Sequence, residues 1–262
     1  MTNEYRDNLD AILSADFLKL KAKYQNQRVG ILFSAGVDSS TIAAYARDFG
    51  LEPVLYNFGT EFSKDKEFAF KLAADIGLPL VFKEISREEI EEIIPFIKKE
   101  LQSIRIEPNN MQIPLSVGVY LIGKKAKEDN IEVLLCGQGS DELFGGYKKY
   151  ESLAEDQLEA QMQKDIKSVM ASDLKRDSHM LSLSGILLEA PYTSKKFINY
   201  ALRIPVEYKI RDDIKKFIIR EVAKKRNLPE YITSRPKSAM QYSSGIQKIY
   251  DKIIKERRKL SS

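Results

Sequence analysis

The sequence has 262 residues, of which 43% are hydrophobic and 31% charged, a balance that excludes a disordered chain and is long enough to bury roughly three quarters of its unfolded surface. No apolar stretch approaches the 18 residues of a membrane span, and the first 27 residues lack the apolar core and cleavage pattern of a secretion signal, so no membrane partner and a cytoplasmic location are expected. The 42 basic and 38 acidic residues nearly cancel at a net charge of +4, which argues against a nucleic-acid partner, and the single cysteine, Cys136, excludes an internal disulfide framework.

In chain order, Asn8 to Tyr24 spaces Leu9, Ile12, Leu13, Phe17, Leu18 and Leu20 along one face of an amphipathic helix. Val29 to Phe33 is a short apolar run of the kind a buried strand requires, and Thr41 to Asp48 reads as the helix that follows it. Between them lies Ser34 to Ser40, SAGVDSS. A small-residue loop between a strand and a helix points several backbone N–H groups and the positive end of the helix dipole at one spot, which makes it a candidate phosphate cradle. A second strand is predicted over Pro53 to Phe58. A helix opened by Ser63 and closed by Gly77 follows, then a third strand over Leu78 to Ile85. Ser86 and Glu89 form a capping-box pattern, a helix spans Leu115 to Glu128, and Ile131 to Cys136 is a fourth strand. Strands alternating with helices predict an α/β fold, a doubly wound parallel sheet whose ligand crevice lies beyond the carboxyl ends of its strands.

The fourth strand leads into Gly137 to Tyr147, GQGSDELFGGY. SAGVDSS resembles the pyrophosphate-binding loop SGGxDS of the ATP pyrophosphatases, with Ala35 in place of the first glycine, and GQGSDELFGGY resembles the GxGxDELFGGY segment of the asparagine synthetase and β-lactam synthetase domains. The resemblance implies an adenine nucleotide alpha hydrolase-like (PP-loop) sheet in the order 3-2-1-4, so that both loops face one site. It implies ATP and Mg²⁺ as ligands. Adenine is expected near Leu32, Phe33 and Phe58, pyrophosphate on Ser34, Ala35, Gly36, Ser39 and Ser40, and the adenylate beside the Gly137 and Gly139 backbone. Asp38 and Asp141 are expected to hold Mg²⁺, an ion that binds through one or two carboxylates plus phosphate oxygens. Cys136, at the end of a strand, reads as an ordinary core residue.

After Tyr147 the strand signals fade. Helices are predicted over Glu151 to Met170, Lys195 to Leu202, Asp212 to Arg226 and Ile246 to Lys259, which divides the chain into an α/β core at 1–149 and a C-terminal helical lobe at 150–262. Leu228 to Gly245 resembles the family's late motif LPxxIxxRxKxxxxxxxG, on which Lys237 is the lysine that reaches the reacting acyl-phosphate. Two departures stand out. In Gly185 to Ser194 the family's Glu, Arg and Asp fall on Leu187, Glu189 and Ser194, which weakens the expectation of aspartate as acceptor. Gln138 stands where asparagine synthetases commonly carry Glu; an amide cannot take a proton at neutral pH, although it can position a substrate. His179 reads as structural or exposed. The activity implied is an ATP-dependent amide-forming ligase, with Lys237, Asp141 and Gln138 as its catalytic residues and aspartate and ammonia as substrates, releasing AMP and pyrophosphate. The nitrogen is expected as free ammonia or from a separate glutaminase partner. Ligation of another carboxylate, or nucleotide binding without catalysis, are the alternatives, and homo-oligomerisation is left open.

Overall fold

The computed structural model describes residues 1–63, 66–235 and 244–260. Its centre is a parallel sheet of five strands, β1 (Val29–Leu32), β2 (Val54–Gly59), β3 (Leu80–Glu84), β4 (Val133–Leu135) and β5 (Leu187–Glu189), in the order β3-β2-β1-β4-β5. β1 pairs with β4 in the register Val29 to Val133 and Ile31 to Leu135, so the two chains leave the sheet side by side. The reversal of strand order between β1 and β4 is where such a sheet opens its crevice.

Alternation along the strands splits the core in two. Val29, Ile31, Leu55, Val133 and Leu135 face one layer, which contains α1 (Thr2–Lys23), α2 (Val37–Asp48), α3 (Lys66–Asp75), α9 (Lys195–Ala201) and α10 (Phe217–Lys225). Leu32, Tyr56, Phe58, Leu134 and Cys136 face the other, built on α4 (Arg87–Ser103), α5 (Gln112–Glu128), α8 (Asp173–Ser182) and α12 (Ile246–Leu260). A smaller apolar cluster of Tyr150, Leu158 and Met162 sits under α7 (Glu155–Ala171). The capping box at Ser86 forms in full, with Glu89 N–H donating to Ser86 Oγ and Ser86 N–H to Glu89 Oε2. Gly77 closes its turn at φ 68°.

Three expectations are corrected. The helix after the first loop starts at Val37, with Gly36 as its cap, so Asp38 and Ser39 lie in its first turn rather than in the loop. A fifth strand exists beyond Tyr147: β5 is three residues long and hangs on the sheet edge, and with it residues on both sides of position 149 build one sheet. The stretch from Asp212 is not helical at its start. Ile210–Arg211 (β6) and Ile214–Lys215 (β7) form a small antiparallel hairpin whose turn residues Asp212 and Asp213 have φ of 50° and 62°, and a left-handed backbone breaks a helix where the polar pattern alone does not.

Candidate active site

A cavity of 770 Å³ opens at the carboxyl ends of β1 and β4. Its wall takes Leu32, Ser34, Gly36, Asp38 and Ser39 from the first motif and Gly137, Gln138 and Asp141 from the second. Gly137 makes the approach possible: a Cβ there would lie 3.0 Å from Asp38 Cβ and 3.0 Å from the Ser39 nitrogen. The loops are cross-linked directly, Ser140 Oγ donating to Asp38 Oδ1 at 2.6 Å. Ser34 Oγ lies 3.1 Å from Ser39 Oγ and accepts the Gly36 N–H at 3.4 Å, so these polar groups gather at the N-terminus of α2, where an anion is favoured.

The remaining described residues named as site residues from the sequence fall outside the cavity wall. Phe33 shares its parity with Val29 and Ile31 and is buried in the first core layer; Phe58 points into the other layer against α5, where a Cβ on Gly118 would lie 2.3 Å from its ring. Neither ring offers the adenine surface expected of it. Ala35 is fully buried at φ 55°, the backbone conformation that explains why the related loops carry glycine there. Ser40 is buried and donates to Gly36 O at 2.7 Å, and Gly139, at φ 95°, turns the chain into the short helix α6 (Ser140–Leu143). Lys237 lies outside the described residues. The stretch before it is anchored at the site, however, since Arg235 donates to Ala35 O at 3.3 Å.

The two aspartates do converge, and what they converge on is a lysine that sequence reasoning missed. Lys216 Nζ lies 2.5 Å from Asp38 Oδ2 and 2.6 Å from Asp141 Oδ1, with its side chain 3% exposed. Burial disfavours this ammonium, but the Asp141 and Asp38 carboxylates outweigh it and raise its pKa above the ordinary lysine value. Lys216 sits between β7 and α10 at φ 57°, and its own N–H donates to Phe144 O at 3.1 Å. Gly146 of the second motif leaves the room, because a Cβ there would fall 1.8 Å from Asp141 Oδ1 and 2.5 Å from Lys216 Cε. One helical turn on, Arg220 donates to the carbonyls of Lys215, Thr233 and Arg235 at 2.7 to 3.0 Å, with burial lowering its pKa.

Gln138 has a fixed orientation. Its amide nitrogen donates to Asp177 Oδ2, and its carbonyl oxygen faces Cys136 Sγ at 4.0 Å. Asp177 also lines the cavity and is held by buried Arg176, whose Nε donates to Asp177 Oδ1 at 2.7 Å and whose Nη1 bonds Gln112 and Asp173. Burial pushes the Cys136 thiol up to about 12, in keeping with an inert core residue. Beside Asp141, burial pushes the Glu142 carboxyl up to about 7, against the hydrogen bond it accepts from Tyr147. His179 pairs with Glu100 at 2.9 Å, away from the cavity wall.

The departures at Leu187 and Glu189 lie outside the cavity wall as well. Glu189 accepts hydrogen bonds from the Tyr24 hydroxyl and, at 2.7 Å, from Lys23, so α1 answers the reversed charge. Leu187 is exposed on the edge strand.

A family model described as asparagine synthase matches residues 21–160 and 150–260. The chain belongs to the asparagine synthase family. Within that family, a Methanocaldococcus jannaschii protein named as a glutamine-hydrolyzing asparagine synthetase is 34% identical over 97% of this chain and 52% of its own length. The human glutamine-hydrolyzing asparagine synthetase is 29% identical over 88% of this chain and 42% of its own. The chain thus spans about half the length of the curated relatives it matches. Among solved structures, NMN synthetase from Francisella tularensis superposes with a TM-score of 0.47 at 14% identity, covering 96% of this chain and 87% of that one. No helix among the described residues is long and apolar enough to cross a membrane.

Proposed function

We propose that this chain is an ATP-dependent amide-forming ligase that adenylates a carboxylate and transfers the acyl group to an amine, with aspartate and ammonia as the substrates. The observation that carries the reading is the convergence of Asp38, Asp141 and Lys216 where two nucleotide-type loops leave adjacent strands. In this reading the pyrophosphate portion of ATP rests on Ser34, Ser39 and the N-terminal N–H groups of α2. Asp38 and Asp141 supply an oxygen pair suited to Mg²⁺, whose other ligands would be phosphate oxygens. When bound, that ion neutralises charge on the departing pyrophosphate.

A substrate carboxylate oxygen attacks the α-phosphorus and the bond to pyrophosphate breaks, leaving an acyl-adenylate. The amine nitrogen then attacks the acyl carbon, the carbon–oxygen bond to AMP breaks, and the nitrogen sheds a proton. Gln138 orients the amine through its carbonyl oxygen, since its NH₂ is committed to Asp177. Asp177 is the carboxylate in the wall that takes the proton, a role closed to an amide. Lys237, assigned from the late motif, stabilises the charge developing on carbonyl and phosphate oxygens. Glu189 and Leu187 are no obstacle to aspartate as acceptor, because α1 rather than the cavity accounts for Glu189.

The test is a chromatographic assay of the purified chain with ATP, Mg²⁺, ammonium and aspartate. AMP and asparagine appearing in equal amounts supports the reading and shows that no glutaminase partner is obligatory. Nucleotide binding without AMP refutes aspartate with free ammonia and directs the search to other carboxylates or to a protein that delivers the nitrogen.

A further inference from the structure

Neither motif of the site brings a cation. No Lys or Arg occurs in Ser34 to Ser40 or in Gly137 to Tyr147, which together carry Asp38, Asp141 and Glu142. The N–H groups at the start of α2 favour an anion, but a triphosphate entering beside these carboxylates is repelled unless positive charge comes from elsewhere in the chain. The C-terminal lobe brings five cations to the cavity wall: Lys215, Lys216, Arg220, Lys224 and Arg235. Lys215 pairs with Glu151 and Lys224 with Glu221, each at 2.6 Å, and Lys216 lies against Asp38 and Asp141. Arg235 donates to Ala35 O and lies 3.7 Å from the centre of the Phe68 ring. Arg220 differs from them. It is 6% exposed, yet no carboxylate pairs with it among the described residues, Asp213 and Glu230 of the same wall included, and Asp38 supports its charge only through space. Instead its Nε donates to Lys215 O at 2.7 Å, its Nη1 to Thr233 O at 2.7 Å and its Nη2 to Arg235 O at 3.0 Å. A guanidinium has five N–H donors, so one on each terminal nitrogen is left over.

We propose that Arg220 receives the terminal phosphates of the nucleotide, as the cation that complements the N–H cradle of the first loop. The proposal rests on the reading of the cavity as a nucleotide site. Two N–H groups on one planar fork match two oxygens of a phosphate, and an arriving anion compensates a charge that the fold leaves buried without a counter-ion. The three carbonyls hold the fork in place beforehand. They belong to β7, to the end of α11 (Glu230–Thr233) and to Arg235, which itself reaches Ala35 O in the first loop. Arg220 is thus tied to the loop assigned to pyrophosphate rather than to the second loop, and it loses little side-chain freedom when the ligand binds. A fixed cation at that end stabilises the charge that grows on pyrophosphate as its bond to the α-phosphorus breaks.

The experiment is isothermal titration calorimetry of the purified chain with inorganic pyrophosphate, with α,β-methylene ATP, which cannot lose pyrophosphate, and with AMP, all in Mg²⁺, for the wild type and Arg220→Gln. The variant loses the charge and keeps an amide N–H for a wall carbonyl. It is expected to bind pyrophosphate and the ATP analogue at least about tenfold more weakly, the effect of losing a hydrogen bond to a charged group, with AMP affinity unchanged. Equal losses for AMP and pyrophosphate in a folded variant would make Arg220 a brace of the wall alone and overturn the inference, as would unchanged affinity for all three ligands. A crystal structure of the wild type with the analogue needs no variant to fold: a terminal phosphate oxygen within about 3 Å of Arg220 Nη1 or Nη2 is expected. A bound triphosphate that makes no such contact overturns the inference while leaving the nucleotide site intact. Wild type that binds none of the three ligands refutes the site reading and the inference with it.

Discussion

Lys209 carries a buried charge with no acid in hydrogen-bonding reach among the described residues and, unlike Arg220, no carbonyl to donate to. Its side chain is 1% exposed, its ammonium has Met162 Sδ at 4.0 Å as its polar neighbour, and burial lowers its pKa to about 8, with Glu159 a weak opposing influence. The unfolded chain holds the proton up to the ordinary lysine value of 10.5. Between about pH 8 and 10.5 the unfolded state therefore binds more protons than the folded one, and stability rises with pH across that window. Below it the penalty for the buried charge is fully present, and at 1.36 kcal/mol for each unit of difference it comes to about 3 kcal/mol. Methionine has nearly the same length, keeps an apolar stem in place beside Met162, and cannot ionise. Lys209→Met is thus expected to stabilise the protein by about 2–3 kcal/mol at pH 7 and by much less at pH 10.5. Urea unfolding of both proteins at the two pH values measures this, and other groups that titrate in the window cancel in the comparison. A stabilisation of equal size at both pH values, or a loss at pH 7, would show that the ammonium is solvated or paired in solution and refute the reasoning.

Four further outcomes are expected. Gly146→Ala places a methyl against Asp141 and Lys216 and should lose about 1–3 kcal/mol of stability, together with most nucleotide affinity, as measured by urea unfolding and equilibrium dialysis. Ser86→Ala removes the capping hydrogen bond of α4 and should cost about 1 kcal/mol in the same unfolding assay, with nucleotide affinity unchanged. Asp10→Ala strips Tyr45 and Arg226 of a shared acceptor, with an expected loss of about 2–4 kcal/mol; a change below about 0.5 kcal/mol would place that network among weak surface pairs. Cys136, buried with its thiol held protonated, should resist iodoacetamide at pH 8 in the folded protein and react fully in urea; rapid labelling of the native chain would contradict its burial.

Much of the α/β frame was legible because its strands are apolar runs bounded by turn residues, and its caps are local devices: Ser86 with Glu89 and Gly77 each act within a few residues. The two loops were legible for the same reason, since the residues they bring to the cavity stand in nearly consecutive positions. What escaped was either too short or decided at long range. β5 has three residues, one of them an exposed leucine, and borrows its order from β4. The β6–β7 hairpin carries two residues per strand, in a stretch whose charges read equally well as a helix face. Lys216 stands in a run of two lysines and resembles any solvated cation until the fold brings it against Asp38, 178 positions away along the chain. Phe33 follows the period-two alternation of Val29 and Ile31, which aims it at the core rather than at a ligand.

The position of Lys216 in turn depends on how α10 is held, and α10 is held at both ends. At its start Lys216 is gripped by the aspartates; at its close Arg226 donates to Asp10 of α1 at 2.8 Å, approaches Asp48 of α2 at 3.6 Å and lies 4.2 Å from the Tyr45 ring centre. Between them Ile218, Ile219, Val222 and Ala223 are fully buried in the layer shared with α1 and α2. A helix turns by about 100° per residue, so a slip of one residue would swing Lys216 out of reach of both carboxylates and expose an apolar row. Packing therefore sets the register, and the register delivers the ammonium to Asp38 and Asp141. The charge balance of the site is thus a property of the whole α1–α2–α10 layer, in which residues distant from the cavity fix where its central cation lies.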